Sequence, residues 1–192
     1  MYKDFFFPTP VYVKDIGSPE LNKHLEKNIL NLSKTDPGMK KSNKNGWHSR
    51  NDIYNMPEYK ELVGLLFKMQ NEIFKEEGLE PSPFIGNMWA NINPKGGYNT
   101  SHIHSNSLWS GVYYVKTPNN CGKLGIKDPR AISLMTLPRY NKPLKSYQWR
   151  QFYYDAVAGR CIMFPAWLEH FVEPNQSNDL RISISFNFLQ KK

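Results

Sequence analysis

Two of the chain's five histidines, His102 and His104, stand one residue apart in "NTSHIHSNSLWSGVYYV", residues 99 to 115. Alternate residues of an extended segment share a face, so both imidazoles can address one ion while Ile103 points away. A His-x-His pair alone is more often a pair of satisfied or solvated polar residues, and the rest of the chain has to decide. His170 lies 68 positions beyond His102, and Arg181 and Ser183 follow it at 11 and 13 positions. Three histidines that converge on one point would make a metal site.

Such convergence needs a rigid frame, and the sequence supplies one. "SPELNKHLEKNILNL" offers Ser18 as N-cap, Pro19 at the first helical position, and Leu21, Leu25, Ile29 and Leu32 on one face, which predicts an amphipathic helix. "PEYKELVGLLFKMQNEIFKEEG" repeats the pattern with Leu62, Leu65, Leu66, Met69 and Ile73, and Gly78 is suited to end it. Residues 5 to 14 read as an opening strand, residues 36 to 46 as a basic, turn-rich loop, and "GWHSRNDIY", 46 to 54, as a lid carrying Trp47 and His48.

From residue 81 onward short aromatic and β-branched runs alternate with Pro, Gly and Asn. That texture predicts a mainly β fold, a sandwich, jelly roll or barrel, with the two helices on one outer face. In "LRISISFNF" Leu180, Ile182, Ile184, Phe186 and Phe188 alternate with Arg181, Ser183, Ser185 and Asn187, which reads either as a half-exposed strand with its polar face in water or as an apolar face against the helices with Arg181 and Ser183 pointing into a polar interior. "FIGNMWANIN" alternates likewise, with Asn87, Trp89, Asn91 and Asn93 on one face. Trp89 and Trp109 are candidates for the walls of that interior.

A chain of 192 residues fits one domain, with 1–80 as an N-terminal strand and helical support and 81–192 as the β core. No apolar run is long enough for a bilayer, and the early "MYKDFFFPTPVYVKD" is broken by Asp4, Pro8 and Pro10 with no small-residue cleavage site after it. A cytoplasmic protein with no membrane partner is expected. Cys121 and Cys161 have no companions at zinc-finger spacing and read as free thiols. The net charge of +8 permits an anionic partner, although its lysines are spread through loops and helices.

These motifs resemble those of the 2-oxoglutarate- and Fe(II)-dependent dioxygenases. The ordered set is His102 with its neighbour, the distant His170, Arg181 and then Ser183. "SGVYYV" followed by "GRCIMF" and the His-x-Val-x-Pro that starts at His170 is similar to the prolyl-hydroxylase branch. The chain as a whole resembles a group of short oxygenases of this family from phages and marine bacteria, which implies host cytoplasm if phage-encoded. The resemblance implies a double-stranded β-helix (jelly roll, cupin-like) core, Fe(II) and the cosubstrate 2-oxoglutarate, with His102 and His170 as iron ligands. It places Arg181 on the distal carboxylate of 2-oxoglutarate, helped by Ser183, Tyr114 and Asn91.

The family expects Asp or Glu where this chain has His104. Three completions are open: His104 as third ligand, a carboxylate such as Asp128, or His102 and His170 with water. Strand parity favours His104, and Glu169 should face the opposite way from His170. The implied activity is hydroxylation with release of succinate and CO2. The substrate is unidentified, with a protein or peptide slightly favoured and nucleic acid open, and the oligomeric state is not legible. Two alternatives stand beside it: a three-histidine cupin-type dioxygenase in which Arg181 holds the substrate's own carboxylate, and a binding module with a vestigial metal site.

Overall fold

Ser18 accepts the Leu21 amide at 3.1 Å and starts helix α1, Pro19–Leu32, which buries Leu21, Leu25 and Ile29. Helix α2, Lys60–Glu77, begins after a 3₁₀ turn at Pro57–Tyr59. It buries Leu62, Leu66, Met69, Gln70, Ile73 and Phe74, leaves Leu65 half-buried, and ends at Gly78, whose φ of 66° suits glycine. In this computed structural model residues 1–80, 83–130, 132 and 135–190 are described, so the expected boundary at residue 81 lies outside them.

The remaining elements are strands. They run β1 (Tyr12–Asp15), β2 (Asn43–Lys44), β3 (Trp47–His48), β4 (Pro83–Asn93), β5 (Tyr98–His102), β6 (Trp109–Lys116), β7 (Leu124–Lys127), β8 (Gln151–Tyr154), β9 (Arg160–Pro165), β10 (His170–Val172) and β11 (Arg181–Gln190). One sheet has the order β1-β9-β6-β11-β4-β3 and the other β2-β5-β10-β7-β8. From β4 to β11 the chain steps between the two sheets at every connection except β7 to β8, which is the winding of a jelly roll.

The alternation of β11 sorts the two faces. Ile182, Ile184, Phe186 and Phe188 join one apolar core with Leu21, Leu25, Ile29, Leu62, Leu66 and Met69 of the helices. Arg181, Ser183 and Ser185 line a cavity between the sheets. Burying the apolar face against helices leaves the polar face only the interior to look into, because side chains on a strand alternate strictly.

Three expectations need correction. The opening strand starts at Tyr12, and Phe5, Phe6 and Phe7 are exposed outside it, since Pro8 and Pro10 remove the backbone donors a ladder needs. Trp47 and His48 do not form a lid: β3 pairs with Ile92 and Asn91 and closes the edge of the six-stranded sheet. Trp109 packs in the helix-side core and against the Tyr12 ring at 5.7 Å, so it does not wall the cavity.

Candidate metal centre

His102 ends β5 and His170 begins β10, and the two are direct cross-strand partners. Facing residues of an antiparallel pair project to the same side, and the two rings stand 4.4 Å apart between centroids. His104 lies two residues beyond the end of β5, where its amide donates to the Ala166 carbonyl at 2.9 Å. Its ring comes within 4.9 Å of His102 and 5.2 Å of His170. One nitrogen of each imidazole lies within 4.8 Å of the others.

Two of the imidazoles are oriented by the same local device. His102 Nδ1 donates to the Thr100 carbonyl at 2.7 Å, and His170 Nδ1 donates to the Leu168 carbonyl at 2.9 Å. A carbonyl can only accept, so the proton sits on Nδ1 and Nε2 keeps its lone pair. His104 uses a distant side chain instead: its Nδ1 lies 3.3 Å from the Asn187 amide, which bonds Asn87 at 2.7 Å. The Asn187 amide nitrogen is the atom that faces His104, so there Nδ1 is the acceptor, whereas the backbone frees the Nε2 lone pairs of His102 and His170.

Burial keeps the cluster neutral. His102 is lowered from the ordinary histidine range by desolvation, and His104 is pushed down to about 4 by desolvation and by the nearby His102. His170, deepest of the three, is pushed down to about 3, again mainly by desolvation. At neutral pH the site therefore offers three unprotonated nitrogens, the form that binds a metal. Among the described residues no carboxylate joins the group. Asp128 is held by Arg130 at 2.9 Å and faces another groove, while Glu169 bonds Ser101 and Lys127 on the outer side.

Behind the histidines a narrow cavity, about 500 Å³ counting its open mouth, runs between the sheets. Asn91, Ser183 and Tyr114 form one row across β4, β11 and β6, and Arg181 faces Asn93 in the adjacent row. All five line the cavity with the three histidines. Arg181 is 1% exposed. Nη1 donates to the carbonyls of Cys121 and Glu173 and Nη2 to that of Gly97.

No carboxylate pairs with Arg181 among the described residues. Of its five N–H donors, two remain without a protein acceptor. Tyr114 OH, Asn91 Oδ1 and Asn93 Nδ2 are buried without a partner too. Desolvation raises the Tyr114 hydroxyl above its ordinary range, so it stays a donor. A buried cation with an open fork beside an unpaired hydroxyl is costly unless an anion completes it.

Trp89 lines the cavity and stacks on His48 at 5.2 Å. Outside the triad a second cleft, lined by Lys41, Asn51, Asn87, Trp89, His104 and Asn187 among others, opens to solvent. Sequence reasoning placed Asn87 on the inward face but missed the tie from Asn187 to His104, two residues 83 positions apart.

The class this fold and site define is a jelly roll with three imidazoles and a buried arginine on its inner walls. A family model described as "Putative 2OG-Fe(II) oxygenase" matches residues 87–187, more than half of the chain. The protein belongs to that family, whose metal is Fe(II) and whose cosubstrate is 2-oxoglutarate.

Solved structures share the fold. A prolyl-4-hydroxylase from Pseudomonas putida superposes with a TM-score of 0.68 at 12% identity, over 96% of this chain and 94% of that one. HygX from Streptomyces hygroscopicus, with nickel, 2-oxoglutarate and hygromycin B bound, gives 0.69 at 9% identity over 95% and 84%. The viral collagen prolyl hydroxylase of Paramecium bursaria Chlorella virus-1, in a 2-oxoglutarate complex, gives 0.59 at 15% over 93% and 94%. No curated protein matches this sequence.

Proposed function

We propose that this protein is a 2-oxoglutarate- and Fe(II)-dependent oxygenase that hydroxylates its substrate, with His102, His104 and His170 as the iron ligands. The observation that carries the reading is Arg181, a buried guanidinium with an unfilled fork in the cavity that the three histidines also line. Arg181 would take the distal carboxylate of 2-oxoglutarate in a paired, charge-assisted contact. Ser183, Tyr114 and Asn91, in a row beside it, would supply the remaining polar contacts.

When bound, Fe(II) and 2-oxoglutarate supply activation of O2, coupled to decarboxylation of the keto acid to succinate and CO2. The chain's residues then have four tasks. The imidazoles of His102, His104 and His170 would hold the metal on the inner wall, the Thr100 and Leu168 carbonyls orient two of them, and Arg181 would hold the cosubstrate's far end. Trp89 and Phe164, both on the cavity wall, keep bulk water away from the centre. With three neutral imidazoles, Fe(II) and doubly ionised 2-oxoglutarate sum to zero charge, where a carboxylate ligand would make the set −1.

Anaerobic titration tests the reading. Fe(II) with 2-oxoglutarate should give the visible charge-transfer band of the chelate, and the His170→Ala protein should lack it. Absence of the band in the intact protein overturns the proposal. The all-imidazole donor set favours one second reading, a three-histidine dioxygenase in which Arg181 holds the substrate's own carboxylate. Turnover without succinate identifies that case. The similar prolyl hydroxylases support a peptide substrate, and the similar antibiotic-bound HygX structure supports a small molecule.

A further inference from the structure

Between Asp128 and Asp155 the chain changes character. Residues 129–154 contain no acid, while Arg130, Arg139, Lys142, Lys145 and Arg150 place five cations there, against a net charge of +8 for the whole protein. Arg130 is tied to Asp128. Among the described residues no ion pair engages the other four, whereas Lys14, Arg50, Lys116, Lys123, Lys127 and Arg160 are each paired with a carboxylate. The stretch thus carries four cations without an ion pair and no acid of its own, while other lysines without an ion pair are scattered through helices and loops that also hold acids.

Aromatic rings are interleaved with these cations and remain in solvent. Tyr140 is 48% exposed, Trp149 and Tyr153 41% and Phe152 39%. Trp149 and Phe152 lie 5.2 Å apart, and Phe152 and Tyr154 4.8 Å. The stretch joins β7 to β8, and β8 is the free edge of the five-stranded sheet. His102, His170, Ile126 and Phe152 form one cross-strand row over β5, β10, β7 and β8. At about 4.8 Å per strand, the aromatic edge begins roughly 10 Å from His170.

A partner for this surface has to bring negative charge and flat apolar faces together. A second copy of the chain would set the same four cations against themselves. An anionic bilayer offers charge without rings to stack. Single-stranded nucleic acid carries a phosphate and an unpaired base in every residue, so one ligand satisfies both features. We propose that the surface formed by residues 139–153, two strands from His170, binds single-stranded nucleic acid. The proposal goes beyond the oxygenase reading and does not depend on it.

The metal-free protein, titrated into fluorescein-labelled oligo-dT or oligo-rU while anisotropy is read, tests it. Binding should saturate and weaken with salt, with a log–log slope of about −2 to −3 for three or four neutralised phosphates. Replacing Arg139, Lys142, Lys145 and Arg150 together with Ala should cut affinity at least tenfold and flatten the slope. Trp149→Ala with Phe152→Ala should cut affinity about tenfold with the slope kept.

Every substituted side chain is exposed, and an unchanged circular dichroism spectrum controls for folding. The proposal falls if neither oligonucleotide binds at low salt or if both variants bind as the parent does. It falls equally if an acidic, tyrosine-containing peptide or anionic vesicles bind more tightly than either oligonucleotide. A dimer in sedimentation that the same substitutions dissociate also overturns it. Because no metal is present, oligonucleotide binding with no iron chelate band would sink the oxygenase reading alone.

Discussion

His102 and His170 face each other across β5 and β10, and each donates Nδ1–H to the main-chain carbonyl two residues before it. Two strands thus present two imidazoles in the same tautomer, each held by its own backbone. His104 has no such local anchor and depends on Asn187 of β11. The three candidate ligands are therefore unequal, and variants should show it.

Replacing His104 with Ala should weaken Fe(II) binding by more than tenfold, since a ligand is lost and neighbours that only orient ligands already account for about 10- to 100-fold. His104→Asp should retain binding, because the carboxylate restores a donor and adds negative charge. Calorimetric titration of the metal into the anaerobic protein reads both. Equal loss in the two variants would show that position 104 needs imidazole for another reason.

Asn187→Ala should lower metal affinity about tenfold through His104, with little change in the cosubstrate requirement, because Asn187 does not line the arginine cavity. The ligand-field spectrum of the Co(II)-substituted protein should shift as the His104 ring loses its anchor. Unchanged spectrum and affinity would assign Asn187 to packing only.

Arg181→Lys should raise the concentration of 2-oxoglutarate needed for half-maximal chelate band by roughly one to two orders of magnitude, as hydrogen bonds to a charged group contribute about 1.5–3 kcal/mol. Metal affinity in the absence of 2-oxoglutarate should hold. The same substitution strands the carbonyls of Cys121, Glu173 and Gly97 that the guanidinium serves, so a lower Tm is expected as well.

Acid should destabilise the metal-free protein through the histidines. The folded state holds His104 at about 4 and His170 at about 3 by burial, against about 6.5 when unfolded. Between these values the unfolded chain binds more protons, so stability is full above pH 6.5 and is lost as pH falls toward 4. Denaturant titrations at pH 7 and pH 5 should show the fall, and His170→Gln should reduce it.

Gly111 sits in β6, opposite Phe186 of β11 and Met163 of β9. A methyl group there would run into the Phe186 ring and come 2.9 Å from the Ile162 carbonyl. Gly111→Ala should therefore cost about 1–3 kcal/mol, read as a lower midpoint of urea unfolding. An unchanged midpoint would mean that Phe186 turns aside without penalty.

Much of this was legible beforehand. The helix faces of Leu21, Leu25 and Ile29 and of Leu62, Leu66 and Met69 follow from 3.6-residue periodicity, and the two faces of β11 follow from strict alternation. Strand parity also put Glu169 on the far side from His170. The start of β1 was misread because the apolar count of Phe5, Phe6 and Phe7 outweighed the two prolines that forbid a ladder. Trp47 and His48 carried no strand signal, because a two-residue edge strand has no period to read.

The sequence by itself determined which residues could do chemistry: three histidines, an arginine and a serine at fixed spacing, on segments of recognisable alternation. Tertiary structure alone decided that His170 faces His102, that Arg181 has no carboxylate partner among the described residues, and that Asn187 reaches His104. The reason is that periodicity is a local property, set by the backbone of each segment. Which strands become neighbours depends on burying the β11 face against both helices at once, and the cavity is the polar remainder of that packing.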